Sequence, residues 1–319
     1  MHIIEYDGHK VFRYGSHSSV VFLPVPSAVT IGSYDGVHKG HRVIISRMVS
    51  QAEHNHLRSV VVTFEPHPRR VLNPSSDMLP GLLTTLDEKI DLLSCERVDL
   101  LFVIRFTAAF AARSSEDFIR MVLVKLLGAR NVIVGYDHAF GHDRQGSRQT
   151  LMALRSELGY AVDVVDEVLI DDEHFSSTRI RHLLAEGNIE QANVFLGSPY
   201  MISGHVVEGA RLGRTIGFPT VNLELSDCNK LLPRSGVYQA QTMVNGLYYM
   251  AMMNIGVRPT VSTSGQTTIE AHLLGFNGNL YGRFLRFHLM KFIREERKFS
   301  SVGELQQQLE KDRKAVEFY

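Results

Sequence analysis

The segment Gly32-Ser33-Tyr34-Asp35-Gly36-Val37-His38-Lys39-Gly40-His41 combines the residue types that handle phosphate. Gly32, Gly36 and Gly40 let a backbone turn tightly and come close to a ligand. The segment leads from an apolar strand pattern into a helical one. A helix start offers free N–H groups and the positive end of a dipole to an anion. His38 and His41, three apart across that turn, can donate hydrogen bonds to phosphate oxygens. The spacing is neither Gly-x-Gly-x-x-Gly nor a P-loop, because no Gly-Lys-Ser/Thr follows. The competing reading is a plain strand-to-helix turn carrying two surface histidines.

Three further polar clusters sit at related places. Thr63-Phe64-Glu65-Pro66-His67-Pro68-Arg69 follows a second strand pattern, and Gly135-Tyr136-Asp137-His138-Ala139-Phe140-Gly141 follows a fourth. Phe175-Ser176-Ser177-Thr178-Arg179-Ile180-Arg181 opens a helix, with hydroxyls and two arginines suited to a phosphate. Ligands of open α/β sheets bind at the carboxyl ends of strands, so the convergence of these clusters outweighs each alone. Singly, Glu65–Arg69 reads equally as a Pro-stiffened loop, and Ser176–Arg181 as an N-cap with solvated arginines. His138 and His142 do not read as zinc ligands: Gly141 breaks helical spacing, and no Glu adjoins His138.

The second half holds a different set. Gly204, Gly209, Gly213 and Gly217 precede Phe218-Pro219-Thr220-Val221-Asn222. A glycine-rich flap ending in Thr220 and Asn222 can cover a nucleotide and bring two neutral oxygens to Mg²⁺. A glycine-rich barrel hairpin accounts for the same residues. Glu270 shares a strand face with Thr268 and His272 by alternation. It reads as an edge charge or as a positioned base.

These residues need elements to hold them. Apolar, β-branched runs at Ala28–Gly32, Ser59–Phe64, Leu100–Ile104, Asn131–Gly135 and Ala161–Val165 predict strands of a parallel sheet covered on both faces. Helical patterns fall between them at Arg42–Glu53, at Leu86–Leu93 behind the capping box Thr85-x-x-Glu88, at Glu116–Leu127 behind Ser114 and Ser115, and at Gln149–Leu158. The alternation predicts an open α/β fold. Helical stretches Ser177–Ala185 and Ile189–Leu196 follow, then a break at Gly197-Ser198-Pro199. Beyond it, Met201–Val207, Gly236–Val244, Leu247–Ile255, Thr268–Leu274 and Arg283–Phe292 predict a small antiparallel barrel or sandwich, with a hairpin at Asn245-Gly246. A last helix spans Val302–Val316, and Arg294–Lys298 reads as a solvated charged face.

The chain has 319 residues, of which 44% are hydrophobic and 21% charged, which is globular usage for about two domains. Lys+Arg and Asp+Glu stand at 34 each, for a net charge of 0, which argues against holding nucleic acid by bulk charge. Two cysteines, Cys95 and Cys228, form no disulfide framework, and reduced thiols in the cytoplasm are expected. No signal-peptide pattern and no membrane-length apolar run is read. Nothing speaks to the oligomeric state.

Together these motifs resemble the bacterial bifunctional riboflavin kinase/FMN adenylyltransferase (FAD synthetase) family, from about Ser16 to Asp312. Gly32-x-x-Asp35-Gly36-Val37-His38-x-Gly40-His41, Thr63-Phe64-x-Pro66-His67-Pro68 and Ser176–Arg181 are similar to its nucleotidylyltransferase motifs. Gly213-Arg214-x-x-Gly217-Phe218-Pro219-Thr220-x-Asn222, Asn254-Ile255-Gly256-x-Arg258-Pro259-Thr260 and Glu270-x-His272-Leu273-Leu274 are similar to its flavokinase blocks. The resemblance implies an α/β plus β protein: a Rossmann-like nucleotidylyltransferase domain over 1–187, and a flavokinase β-barrel with a terminal helix over 188–319. It implies conversion of riboflavin to FMN and of FMN to FAD, with ATP as co-substrate, Mg²⁺ or another divalent cation, and no nucleic-acid or membrane partner. His38, His41 and Glu270 are the implied catalytic residues. Gly32, Asp35, Gly36, Gly40, Ser177, Thr178, Arg181, Gly213 and Gly217 would hold ATP, Phe64, Pro66, His67 and Asp137 the flavin, and Thr220 and Asn222 the metal. Three departures stand out: Tyr34 where Phe is usual, His138-Ala139, and Cys95-Glu96-Arg97 in place of a glycine-containing turn. An adenylyltransferase acting on another acceptor, or a flavin-binding regulator, would lack one of the two motif sets.

Overall fold

A computed structural model describes residues 1–73, 80–136, 139–140, 146–166, 169–170, 173–209, 213, 216–258 and 266–317. The chain divides into two compact units, one of residues 1–80 and 89–175, the other of residues 81–88 and 176–319.

The first unit is built on a seven-stranded sheet in the order β2-β1-β5-β4-β3-β6-β9. Its strands are β1 (His2–Tyr6), β2 (Val11–Arg13), β3 (Ser27–Ile31), β4 (Arg58–Glu65), β5 (Leu100–Arg105), β6 (Ala129–Gly135) and β9 (Ala161–Val165). All neighbouring pairs are parallel except β1–β2. Two-residue strands pair as β7 (Ala139–Phe140) with β8 (Gly146–Ser147), and β10 (Leu169–Ile170) with β11 (Glu173–His174). The strands β3, β4 and β5 are buried almost throughout, which is why they read as continuous apolar runs. The edge strand β2 and its neighbour β1 are short and half-covered, and carry no such run. Order reverses beside β3: β4 lies on one side and β6 on the other, so the carboxyl end of β3 is a topological switch point.

Helix α1 (Lys39–His54) buries Ile45, Met48, Val49 and Ala52. The short α2 (Pro68–Leu72), α3 (Leu86–Ser94), α4 (Ala108–Ala111), α5 (Ser115–Asp117) and α6 (Arg148–Leu158) complete the set. The capping box forms as read: Thr85 N donates to Glu88 Oε2 at 3.0 Å, and Glu88 N to Thr85 Oγ1 at 3.3 Å. Ser114, not Ser115, caps α5. The expected α-helix beyond it is instead π-helical over Phe118–Leu126, where Leu127 N reaches back five residues to Val122 O. The wider winding still buries Phe118, Ile119, Val122 and Leu123 against the sheet core.

In the second unit, α7 (Ser177–Glu186) and α8 (Ile189–Leu196) end on Gly187 and Gly197, both in the left-handed conformation that closes helices. A closed barrel follows in the order β12-β13-β16-β15-β14-β17: β12 (Tyr200–Val207), β13 (Val221–Leu225), β14 (Gly236–Val244), β15 (Leu247–Arg258), β16 (Gln266–Leu273) and β17 (Phe284–Arg294). Every pairing is antiparallel. Asn245 and Gly246 both have positive φ, as a two-residue hairpin turn needs. Helix α9 (Val302–Glu317) is the last described element, and its Val316 packs with Ile216, Phe218 and Met252. The segment 81–88 joins this unit through Leu82 N to Asn229 O, and Leu231 N to Leu82 O, both at 2.8 Å. Arg294–Lys298 is not simply a solvated face. Arg294 forks onto Asp312, whose side chain is only 2% exposed.

Candidate functional site

In the first unit the site grows from the end of β3. Gly32 N donates to Val62 O at 3.0 Å, extending the β3–β4 pair one step past Ile31. The chain then turns through Tyr34 (φ +47°), Gly36 (φ +87°) and Val37 (φ +42°). Left-handed backbone at a tyrosine and a valine costs energy, so other bonds must fix this turn. Val37 N donates to Tyr34 O at 3.2 Å, and Arg42 Nε to Val37 O at 3.1 Å. Arg42 is paired in turn with Glu96. The Tyr34 hydroxyl shares a buried 2.6 Å hydrogen bond with Thr30 Oγ1, which satisfies the oxygen that a phenylalanine would lack. Burial pushes the Tyr34 phenol well above its usual range.

His38 is the N-cap of α1. Its Nδ1 accepts from His41 N at 3.4 Å, so a neutral His38 carries its proton on Nε2. The His38 ring stacks on His41 with centroids 3.6 Å apart and planes inclined by 18°. Tyr34 meets His41 edge-on at 5.2 Å. A side chain at Gly40 would come within 3.2 Å of Phe175 Cβ and 3.3 Å of the His38 ring, so this glycine allows a close approach. His41 Nδ1 is buried and makes no hydrogen bond among the described residues. Burial, then the neighbouring His38 and Lys89, hold the His41 imidazole well below the usual histidine range. The ring is therefore neutral at pH 7. Asp35 is 3% exposed beside this pair of motifs.

The second cluster is brought alongside by β3–β4 pairing. Thr63 Oγ1 donates to Ser33 O at 3.2 Å, across the two strand ends. Phe64 is a core side chain, edge-on to Phe106 at 5.5 Å. Pro66 is exposed. His67 caps α2 and accepts from Arg69 N at 3.2 Å. Lys89, which nothing in the sequence singled out, is buried with its ammonium on Thr63 Oγ1. Asp137, His138 and His142 lie outside the described residues, as do Arg214 and Pro259-Thr260.

Ser177, Thr178 and Arg181 belong to the second unit. Ser176 caps α7 by accepting from Arg179 N at 3.1 Å, which leaves Ser177 and Thr178 in the first turn. Arg181 Nε donates to Gly81 O at 3.0 Å.

The barrel carries the other set. Ile269, Ala271 and Leu273 of β16 are buried, so Glu270 and His272 occupy the opposite face, half-buried. Register places Glu270 between Asn222 of β13 and Asn254 of β15. Residues directly opposed on neighbouring strands share a face, so these three polar side chains form one row. Asn254 Nδ2 donates to Glu296 Oε1 at 3.0 Å. Neither Asn254 nor Glu296 was among the expected site residues, although Asn254 stands in a quoted motif. The flap folds onto this face. Ile216 N and Phe218 N both reach Gly213 O, at 3.2 and 2.8 Å. His272 Nδ1 lies 2.7 Å from Pro219 O, and Phe218 stands edge-on to His272 at 5.3 Å. A Cβ at Gly213 would strike Phe218 O and lie 3.4 Å from Thr220 Oγ1, and one at Gly209 would strike the Asn222 amide. Gly217, at φ +82°, is open to space.

Two family profiles match this chain: FAD synthetase over residues 23–179 and riboflavin kinase over residues 196–319. The bifunctional riboflavin kinase/FMN adenylyltransferase of Bacillus subtilis (strain 168) is 36% identical over 297 residues, 92% of each chain. The protein of the same description from Escherichia coli (strain K12) is 38% identical over 285 residues, 89% of this chain and 90% of that one. A solved structure described as a macrolide-efflux protein from Streptococcus pneumoniae superposes with a TM-score of 0.82 at 29% identity, over 93% of this chain and 100% of that one. Among the described residues, no helix is long and apolar enough to cross a membrane.

Proposed function

We propose that this chain, which belongs to the bifunctional riboflavin kinase/FMN adenylyltransferase family, phosphorylates riboflavin with ATP and then adenylylates the FMN with a second ATP, giving FAD and pyrophosphate. The adenylyl transfer is assigned to residues 1–187 and the kinase step to residues 188–319. One observation carries the reading: a stacked histidine pair stands at the start of the helix that leaves the switch point of a parallel sheet, in a chain that also holds an Asn222–Glu270–Asn254 row on a barrel.

Adenylyl transfer needs no nucleophile from the enzyme. An FMN phosphate oxygen attacks the α-phosphorus of ATP, and the bond to pyrophosphate breaks. The protein must align two anions and neutralise charge as it develops. His38 Nε2–H, the His41 ring and the N–H groups at the start of α1 supply neutral donors for that purpose. Gly32, Asp35, Gly36 and Gly40 shape the turn for ATP, with Ser177, Thr178 and Arg181 as further phosphate ligands. Phe64, Pro66, His67 and Asp137 are assigned to the flavin.

In the kinase step the terminal ribityl hydroxyl attacks the γ-phosphorus, and Glu270 accepts its proton. Gly213 and Gly217 let the flap close over ATP. Thr220 and Asn222 offer neutral, hard oxygens, a donor set that fits Mg²⁺ when phosphate oxygens complete its shell. When bound, the cation neutralises phosphate charge. Two exposed free thiols, Cys95 and Cys228, support a cytoplasmic setting.

The test is incubation of the purified chain with riboflavin, ATP and Mg²⁺, with flavins separated by chromatography over time. FMN should appear first and FAD after it. Accumulation of neither product, or of FMN alone, contradicts the reading.

A further inference from the structure

Lys89 lies on α3 and is 3% exposed, although a lysine in a helical pattern ordinarily faces water. A buried ammonium is costly unless it is paired and hydrogen-bonded. The charged and titratable groups that face it are Asp35 from the first signature, Glu65 at the end of β4 and His41. Its hydrogen bond goes to Thr63 Oγ1 at 3.4 Å. That hydroxyl donates onward to Ser33 O at 3.2 Å. The order is dictated by chemistry. An ammonium cannot accept, so Thr63 receives from Lys89 and must spend its single proton on Ser33. Ser33 is the residue before the turn Tyr34–Val37, left-handed at Tyr34, Gly36 and Val37, that leads to His38.

We propose that Lys89 is a positioning residue for adenylyl transfer: through Thr63 it pins Ser33, and so the strained turn that presents His38 and His41, while its charge balances Asp35 and Glu65. Its loss would take one positive charge from beside two carboxyl groups near the place assigned to ATP and FMN phosphates. The proposal rests on assigning adenylyl transfer to the His38–His41 site. Lys89 itself touches no substrate in this account. Its effect passes through Thr63, Ser33 and the local field.

The full-length chain is assayed for FAD formation from supplied FMN, with riboflavin phosphorylation as the control for folding. Lys89→Met should lower kcat by about 10- to 100-fold, the scale of a displaced catalytic group, with KM for FMN held within about threefold. Lys89→Arg, which keeps a cation and a donor, should recover most of the loss. Thr63→Val should lower kcat alone but add little in the Lys89→Met background, because both cut the same link. A Lys89→Met enzyme with parental kcat, or with only a lower melting temperature, overturns the proposal. If Lys89→Met does not fold, parental kcat in Thr63→Val overturns it. His38→Ala is measured in parallel. If it abolishes FAD formation while Lys89→Met does not, this proposal alone fails; if it leaves FAD formation intact, the site assignment fails and the proposal with it.

Discussion

His38 and His41 are stacked ring on ring, 3.6 Å between centroids, at the first turn of one helix. Two imidazolium ions could not share that spacing in a buried setting, so the pair works with at most one charge. His38 spends Nδ1 on the helix cap, whereas His41 holds a buried Nδ1 with no protein partner among the described residues. The two rings are therefore placed differently: one fixes the helix start and, when neutral, carries its proton on Nε2, while the other keeps Nδ1 unspent among the described residues. His38→Ala and His41→Ala should each lower FAD formation by about 10²-fold or more, the usual loss for a missing transition-state donor. Riboflavin phosphorylation should stay near the parental rate. Equal loss of both activities would point to misfolding or to one shared site, and unchanged FAD formation would place the histidines outside adenylyl transfer.

The neutral state of His41 has a signature in stability against pH. Its folded pKa lies well below the usual 6.5, with burial the largest cause. The unfolded chain binds a proton near pH 6.5 and the folded chain does not, so stability falls as pH drops from about 6.5 toward the folded value. Replacing His41 by Asn removes this penalty. The loss in melting temperature between pH 7.5 and pH 5.5 should be smaller for His41→Asn than for the parent, by calorimetry at both values. An equal loss in both proteins would show that His41 titrates normally.

Glu88 and Lys230 form a fully buried ion pair in the second unit, with Nζ 2.7 Å from Oε2 and both side chains at 0% exposure. Each is further satisfied. Lys230 donates to Leu83 O at 2.6 Å and sits 4.2 Å over the Tyr200 ring, while Glu88 accepts from Ser203 and Thr85 N. Removing one member leaves a buried charge, at about 3–5 kcal/mol. Lys230→Met should destabilise the full chain by about that much in urea denaturation. The double replacement Glu88→Leu with Lys230→Met leaves no unpaired charge and should cost less than Lys230→Met alone; an equal or larger loss would contradict the role given to the pair.

What the sequence disclosed follows the range of each interaction. Strands β3, β4 and β5 declared themselves because burial on both faces leaves few polar residues, and β6 and the edge strand β9 because their runs are rich in β-branched residues. The edge strand β2, its neighbour β1, and β13 close behind Pro219 are too short or too exposed to do so. The Thr85–Glu88 capping box was legible because both partners lie within one turn. The same Glu88 meeting Lys230, 142 residues away, was not. At the candidate site, residue type and spacing singled out His38, His41 and Glu270 as candidates. They did not reveal the stack, the tautomer set by the cap, or the Asn254–Glu296 contact, since Glu296 stands in a run of charges that looks solvated. Arg97 shows the converse. In the turn where the resemblance leads one to expect a glycine, it takes φ +57°, a conformation that favours glycine.

Glu270 is the residue on which the kinase assignment turns. Register holds it between Asn222 and Asn254 on a strand, so its carboxylate is carried by a rigid frame rather than a loop. A primary hydroxyl is a poor nucleophile until its proton is accepted, and a well-placed general base contributes about 10²- to 10⁴-fold. Gln preserves size and one acceptor oxygen but cannot take the proton. Glu270→Gln should therefore lower kcat for FMN formation by that factor, with a smaller change in the apparent affinity for riboflavin. FAD formation from supplied FMN should persist, because that chemistry is assigned to His38 and His41. If Glu270 were only an edge charge beside the flap, the substitution would be nearly silent. Normal riboflavin phosphorylation by a folded Glu270→Gln enzyme would remove the base assignment while leaving the family membership untouched.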